Sequence, residues 1–208
     1  MIKGIIFDFD GVIAESVHVK TDALMELYVI YGQDVVRKVT KHHEVNGGMS
    51  RYEKIKYYHK TFLNIDLTQE EIIELANQFS ILVVDRVIKA PYIQGVLEYI
   101  IKSHKKYKLF ISTGTPTSEI NKILKERGIE KYFTGVYGSP DNKKVHLNQI
   151  MMTFNLKPDE IIFYGDSKTD LDAAQKMNVE FILIKNQYNK NLFRNYNVKM
   201  IDNFISLL

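Results

Sequence analysis

Two aspartates follow the first apolar run of the chain, in Asp8-Phe9-Asp10-Gly11-Val12. Strand alternation puts Asp8 and Asp10 on one side and Phe9 on the other. Two carboxylates at the carboxyl end of a buried strand are costly unless something neutralises them. That end is also where ligands bind in open α/β sheets. The plainer alternative is a pair of turn acids ahead of Gly11. A second acidic pair follows Ile161-Ile162-Phe163-Tyr164, in Gly165-Asp166-Ser167-Lys168-Thr169-Asp170. A helix beginning near Ser167 would turn Asp166 and Asp170 toward one cleft. Capping that helix accounts for one of these acids but not for the pair. Four carboxylates converging from two strand ends make a hard-cation site, and magnesium suits it.

Between the pairs, Ser112-Thr113-Gly114-Thr115-Pro116 comes directly after another apolar run. The Thr113 hydroxyl and the amides around Gly114 are suited to a phosphate, and Pro116 suits a helix first residue. An ordinary strand-to-helix turn has the same pattern. Ser139-Pro140-Asp141-Asn142-Lys143-Lys144 supplies a lysine after the Phe133 to Tyr137 segment. Lys143 and Lys144 compete for that role, with Lys143 favoured.

The elements that must position these residues are short apolar runs at Ile5-Ile6-Phe7, Leu109-Phe110-Ile111, Ile161 to Tyr164 and Phe181 to Ile184. Each is too short for a helix and none alternates, which is the pattern of central parallel strands. Helical patterns lie between the later runs, from Ser118 to Arg127 with Gly128 as the stop, from about Lys144 to Phe154, and from about Thr169 to Met177. Strands alternating with helices predict a doubly wound α/β fold with a Rossmann-like parallel sheet. The stretch 15–90 breaks this rhythm with helical patterns and no strand. Ser50-Arg51-Tyr52-Glu53 and Thr68-Gln69-Glu70-Glu71 both have capping-box form. The predicted organisation is an α/β core over 1–14 and 91–208, interrupted by a helical cap over 15–90.

The chain has 208 residues and a formal charge of +3. So small and scattered an excess of base does not make a nucleic-acid footprint. The cluster from His104 to Lys108 is expected to be the solvated end of a helix. Cysteine is absent, which excludes disulfides, thiol chemistry and cysteine-ligated zinc. Charges arrive too early for a signal-peptide core, and no apolar run reaches the roughly 20 residues of a membrane span. A soluble cytoplasmic protein, monomeric or weakly dimeric, is the expectation.

Along nearly its whole length the chain resembles the haloacid dehalogenase-like superfamily. DFDGV and GDSKTD match its first and fourth motifs, and the order Asp pair, Thr113, Lys143, GDxxxD is the family's order. The helical insertion is similar to the cap of its phosphoglycolate phosphatase and β-phosphoglucomutase branch. The resemblance implies an α/β core with an α-helical cap and a magnesium-dependent phosphatase acting on a small phosphorylated metabolite. It makes Asp8 the nucleophile and Asp10 the acid/base, with Thr113, Gly114 and Lys143 holding the transferring group. Magnesium is then held by Asp8, Asp10 (through its carbonyl) and Asp166, with Asp170 in support. A neighbouring Asp8 is expected to raise the Asp10 pKa. SPDNKK departs from the branch's lysine-proline form, and Gly165 stands where a mutase carries a second acid. A sugar phosphomutase and a non-catalytic phosphometabolite sensor are the rivals.

Within the insertion, Gly47-Gly48-Met49-Ser50-Arg51 is similar to a mutase turn that presents its arginine to a second substrate phosphate. Arg51 is therefore either a clamp for a distal anion or a solvent-exposed helix-start residue. Lys20, on the first cap helix, is a second substrate-binding candidate. His42-His43 is not expected to bind metal, because adjacent helical residues do not face one point. Tyr52, Tyr57, Tyr58 and Phe62 are expected to pack the cap.

Overall fold

The computed structural model describes residues 1–208. Strand β1 (Gly4–Phe7) leads into four helices, α1 (Val17–Tyr28), α2 (Gln33–Val45), α3 (Arg51–Tyr58) and α4 (Gln69–Lys89), with no strand among them. Helix α5 (Val96–Ser103) then returns the chain to β2 (Lys108–Pro116). The remainder alternates: α6 (Thr117–Glu126), β3 (Gly135–Ser139), α7 (Lys143–Phe154), β4 (Ile161–Gly165), α8 (Lys168–Lys176), β5 (Glu180–Ile184) and β6 (Lys199–Ile201).

The six strands form one parallel sheet in the order β3-β2-β1-β4-β5-β6. The chain starts in the middle, builds toward one edge, and then crosses to build toward the other. Strand order therefore reverses beside β1, which opens a crevice at the carboxyl ends of β1, β2 and β4. All four residues of β1 are buried, as a strand covered on both faces requires.

Both capping boxes form. The Ser50 and Thr68 side chains accept from the amides of Glu53 and Glu71, whose carboxylates accept in return from the Ser50 and Thr68 amides. The insertion is tied to the core at its far end by Arg127. Its guanidinium donates to the carbonyls of Val87, Ile88 and Ala90 at 2.8–3.0 Å. The Val87 carbonyl also accepts from the Ala90 amide, and those of Ile88 and Ala90 are left by the end of α4 without a backbone partner. Apolar packing is continuous across the junction. Core residues Phe7, Phe9 and Ile111 share one cluster with Val36, Tyr58 and Phe79 of the helices. Tyr57, Tyr58 and Phe62 pack on one another, with ring centroids 5.5–6.1 Å apart. No helix is long and apolar enough to cross a membrane.

Candidate active site

Asp8 leaves the end of β1 and is 3% exposed. Its Oδ1 accepts from the Phe9 amide at 2.7 Å, and its Oδ2 accepts from Lys143 Nζ at 2.7 Å. Lys143 opens α7 and is also buried, and its ammonium reaches Asp170 as well. Its neighbour Lys144 is exposed, so of the two lysines it is Lys143 that reaches the acids. Burial pushes the Asp8 carboxyl up to about 6, with Asp170 and Asp10 adding to the rise while Lys143 opposes it.

Asp166 and Asp170 follow β4. Asp170 takes two roles that the sequence leaves as alternatives. Its Oδ2 closes the start of α8 by accepting from the Ser167 amide at 3.0 Å and the Ser167 hydroxyl at 2.6 Å, while its Oδ1 faces Lys143. Carboxylate oxygens of Asp8, Asp166 and Asp170 lie within 4.8 Å of one another. Burial drives the Asp166 pKa well above the usual carboxylate range, and repulsion from Asp8 and Asp170 adds to it. Three carboxylates this close, with one lysine among them and the charge of Asp166 penalised by burial and by its acidic neighbours, offer hard oxygen donors that fit a divalent cation such as magnesium.

The expectation of four converging carboxylates is corrected in one respect: the Asp10 side chain is not in the cluster. It turns toward the inserted helices. There its Oδ1 accepts from Ser16 Oγ at 2.6 Å, and its Oδ2 pairs with the Lys20 ammonium. The expected rise of the Asp10 pKa is corrected as well. Burial alone would raise it, but the Lys20 charge and the Lys20 and Ser16 hydrogen bonds outweigh burial and hold it below the ordinary value. Lys20 thus contacts the core carboxylate, and also Thr115 Oγ1 at 2.9 Å.

Thr113 and Gly114 follow the apolar part of β2 and border the same cleft, with Thr113 almost fully buried. The loop before α3 comes down onto them. The Gly48 carbonyl is so close to Gly114 that a Cβ there would lie 2.9 Å from it. A Cβ at Gly48 would collide with Thr169 and sit 3.0 Å from Lys143 Nζ. Glycine at both positions is what allows the two backbones to meet over the carboxylates. Beneath them is a cavity of about 60 Å³.

Arg51 lines the cavity, and its guanidinium is held there by the protein's own groups. It is 6% exposed, so it is not a solvent-facing residue. Its guanidinium is already engaged by Glu119 of α6 through two bonds of 2.8 and 2.6 Å, by Ser80 of α4, and by the Phe79 ring 4.9 Å away. A carboxylate of the protein occupies the fork that a distal substrate anion would need.

Three contributors escaped the sequence reading. Asn186 Nδ2 donates to Asp166 Oδ2 at 2.9 Å, and Asn189 Nδ2 donates to the Asp166 carbonyl at 2.8 Å, so the loop after β5 fixes that acid. Lys54 of α3 is 4% exposed, lines the cavity, and lies against His43 Nδ1 at 2.8 Å.

A parallel sheet with strand order reversing at β1, and buried acids gathered at that reversal under a helical cover, defines an α/β protein of the Rossmann-like kind with its candidate site at the switch point. Residues 5–184 match the profile of the haloacid dehalogenase-like hydrolases, and the chain belongs to that family. It is 31% identical over 181 residues to the phosphoglycolate phosphatase of Photorhabdus laumondii, covering 84% of this chain and 76% of that one. It is 25% identical to a phosphorylated carbohydrates phosphatase of Thermotoga maritima, over 87% of this chain and 84% of the relative. Among solved structures, the β-phosphoglucomutase of Clostridium difficile superposes with a TM-score of 0.80 at 22% identity, covering all of this chain and 94% of the other.

Proposed function

We propose that the protein is a magnesium-dependent phosphatase that hydrolyses a small phosphomonoester through a phosphoryl-Asp8 intermediate. The observation that carries this is Asp8 itself: a buried carboxylate at the switch point, held by Lys143 and its neighbour's amide, beside a cluster of acids suited to a divalent cation. The two phosphatase relatives support the same reaction class.

In this reading an Asp8 oxygen attacks phosphorus while the P–O bond to the substrate alcohol breaks. Asp10 donates a proton to the leaving oxygen. Water then attacks the phosphorus of the acyl phosphate, Asp10 takes up a proton of that water, and inorganic phosphate leaves with Asp8 restored. Lys143 and the Thr113–Gly114 turn balance charge on the phosphoryl oxygens. Asp8, Asp166 and the Asp10 carbonyl would hold magnesium, steadied by Asp170, and it would lessen the repulsion between carboxylate and phosphoryl group. Lys20 holds Asp10 ionised in the absence of substrate. An arriving phosphoryl dianion competes for that ammonium, and Asp10 freed of Lys20 can bind the proton it must donate.

Mutase chemistry is the second reading, on the strength of the β-phosphoglucomutase-like fold. Against it, position 165 carries no acid, and a Cβ there would collide with the Asp170 side chain in this packing. The test is to incubate the protein and magnesium with phosphoglycolate and sugar monophosphates. One equivalent of inorganic phosphate per substrate consumed, and a phosphoryl adduct seen by mass spectrometry in the wild type but not in Asp8→Asn, is the expected result. Isomerised sugar phosphate without phosphate release would replace hydrolysis by the mutase reading.

A further inference from the structure

Lys54 is a buried lysine without a counter-ion, and burial, with the Lys20 charge adding, holds its pKa well below the ordinary lysine value. It lies one helical turn after Arg51 on the same face of α3, and it is 4% exposed. Its Nζ has two partners, the Gly47 carbonyl at 3.0 Å and His43 Nδ1 at 2.8 Å, and both are uncharged. Burial keeps His43 neutral, with Lys54 and Lys20 adding to that effect, so its Nδ1 is free to accept. Once charged, the group would carry three donors, and the third would have no partner in the protein. The groups that face this corner of the cavity make the omission costly. Lys20 and Lys143 add positive charge, and each already has a carboxylate of its own. Asp10 and Asp166 lie across the cavity and hydrogen-bond elsewhere. Burial without an anion penalises the charged form of Lys54, and an anion arriving at its Nζ would restore it. Arg51 next to it has its anion built in, in Glu119. Of the two basic cap residues on this face, Lys54 is the one left for something that arrives.

We propose that Lys54 is the anchor for a second acidic group on the substrate, a carboxylate or a further phosphoryl, at the end remote from the transferring one. This rests on the phosphatase reading above. It narrows the substrate class to small phosphomonoesters that are acidic at both ends. His43 and the Gly47 carbonyl orient the ammonium, and Gly48 lets the loop carry it to the core.

The test compares wild type with Lys54→Met on phosphoglycolate, fructose bisphosphate and p-nitrophenyl phosphate, which has no second anion. The expected result is that kcat/KM on the two acidic substrates, taken relative to p-nitrophenyl phosphate, falls about ten- to a hundredfold, through KM. A fall for phosphoglycolate alone identifies a carboxylate as the bound group, and a fall for fructose bisphosphate alone identifies a phosphoryl. The same pair of proteins in the Asp8→Asn background, titrated calorimetrically with phosphoglycolate and p-nitrophenyl phosphate, should show weaker binding of phosphoglycolate only. That arm needs no turnover. If wild type binds these compounds and hydrolyses none, the phosphatase reading fails while Lys54 is still judged. Equal losses on all substrates, with a lowered Tm, would make Lys54 a support for the 46–49 loop and overturn the proposal. Unchanged affinity for phosphoglycolate would overturn it too.

Discussion

The Arg51–Glu119 pair ties α3 of the inserted helices to α6 of the core, and a double-mutant cycle can weigh it. The two bonds are 2.8 and 2.6 Å, and the side chains are 5% and 18% exposed. Each charge-assisted bond is worth about 1.5–3 kcal/mol when truncated. Losing one partner of a fully buried pair costs about 3–5 kcal/mol. Glu119 retains some contact with water and can rehydrate, so the coupling should fall near the lower of these, about 1.5–3 kcal/mol. Urea unfolding of wild type, Glu119→Gln, Arg51→Met and the double variant gives the interaction energy directly. In a chain of this length each single variant should lose roughly 2–4 °C of Tm per kcal/mol. Because Glu119 occupies the Arg51 fork at the wall of the cavity, loss of the contact should raise KM by one common factor for substrates with and without a distal anion. A coupling energy below about 0.5 kcal/mol would refute the tie. A loss confined to anionic substrates would make Arg51 the anion clamp after all.

Asp8→Asn should reduce turnover below a few per cent of wild type while leaving the Tm nearly unchanged, since Lys143 keeps Asp170 as a partner; phosphate release and a thermal melt check both. Activity should vanish on chelation, return with magnesium and be inhibited by calcium, whose longer bonds and higher coordination number spoil the in-line arrangement; a titration of phosphate release against each cation reads this. His146, buried between Ser112 and the Gly138 carbonyl, has its pKa pushed down to about 4 by burial and then by Lys143. Between pH 6.5 and 4 the unfolded chain binds a proton that native His146 refuses, so this contribution to stability is lost as pH falls. The stability gap between wild type and His146→Gln should shrink by up to about 3 kcal/mol across that window, and a constant gap would exclude the linkage.

The central strands were legible in the sequence because burial on both faces leaves an unbroken apolar run, as in β1 and β4. The edge strand β6 was not, since its three residues are exposed or half-buried and carry no such run. Helix α5 was legible only through the basic cluster that follows it, His104 to Lys108, and its start carried no signal. Gly95, in the left-handed conformation, precedes it in place of a capping side chain. The acids were found through motif and position, but the direction of the Asp10 side chain depends on Lys20 and Ser16, ten and six residues away, and only the folded chain brings them together. Lys54 carried a usable signal. Arg51, Lys54, Ile55 and Tyr58 recur at helical spacing and all are buried, whereas Lys56 on the other face is exposed. Asn186 and Asn189 had none beyond lying on a loop after a strand's carboxyl end.

The division of charge between core and inserted helices bears on why the two must meet before chemistry. The strand ends and their flanking turns bring four carboxylates, Asp8, Asp10, Asp166 and Asp170, and only one buried cation, Lys143. Such a surface favours a divalent cation and repels a phosphoryl dianion, and it still carries excess negative charge with magnesium bound. Lys20 and Lys54 belong to α1 and α3, so they join the site only when those helices lie over it. In the proposed reaction the dianion is then electrostatically acceptable with the metal in place and the helices down, and not before. Lys20 is paired with Asp10, so in the proposed reaction the arrival of the phosphoryl group gives Lys20 a second anion to choose. On that proposal, proton donation by Asp10 is tied to occupancy of the phosphoryl site. An Asp10 kept ionised until substrate arrives leaves the site unready to act on a molecule that cannot draw Lys20 away.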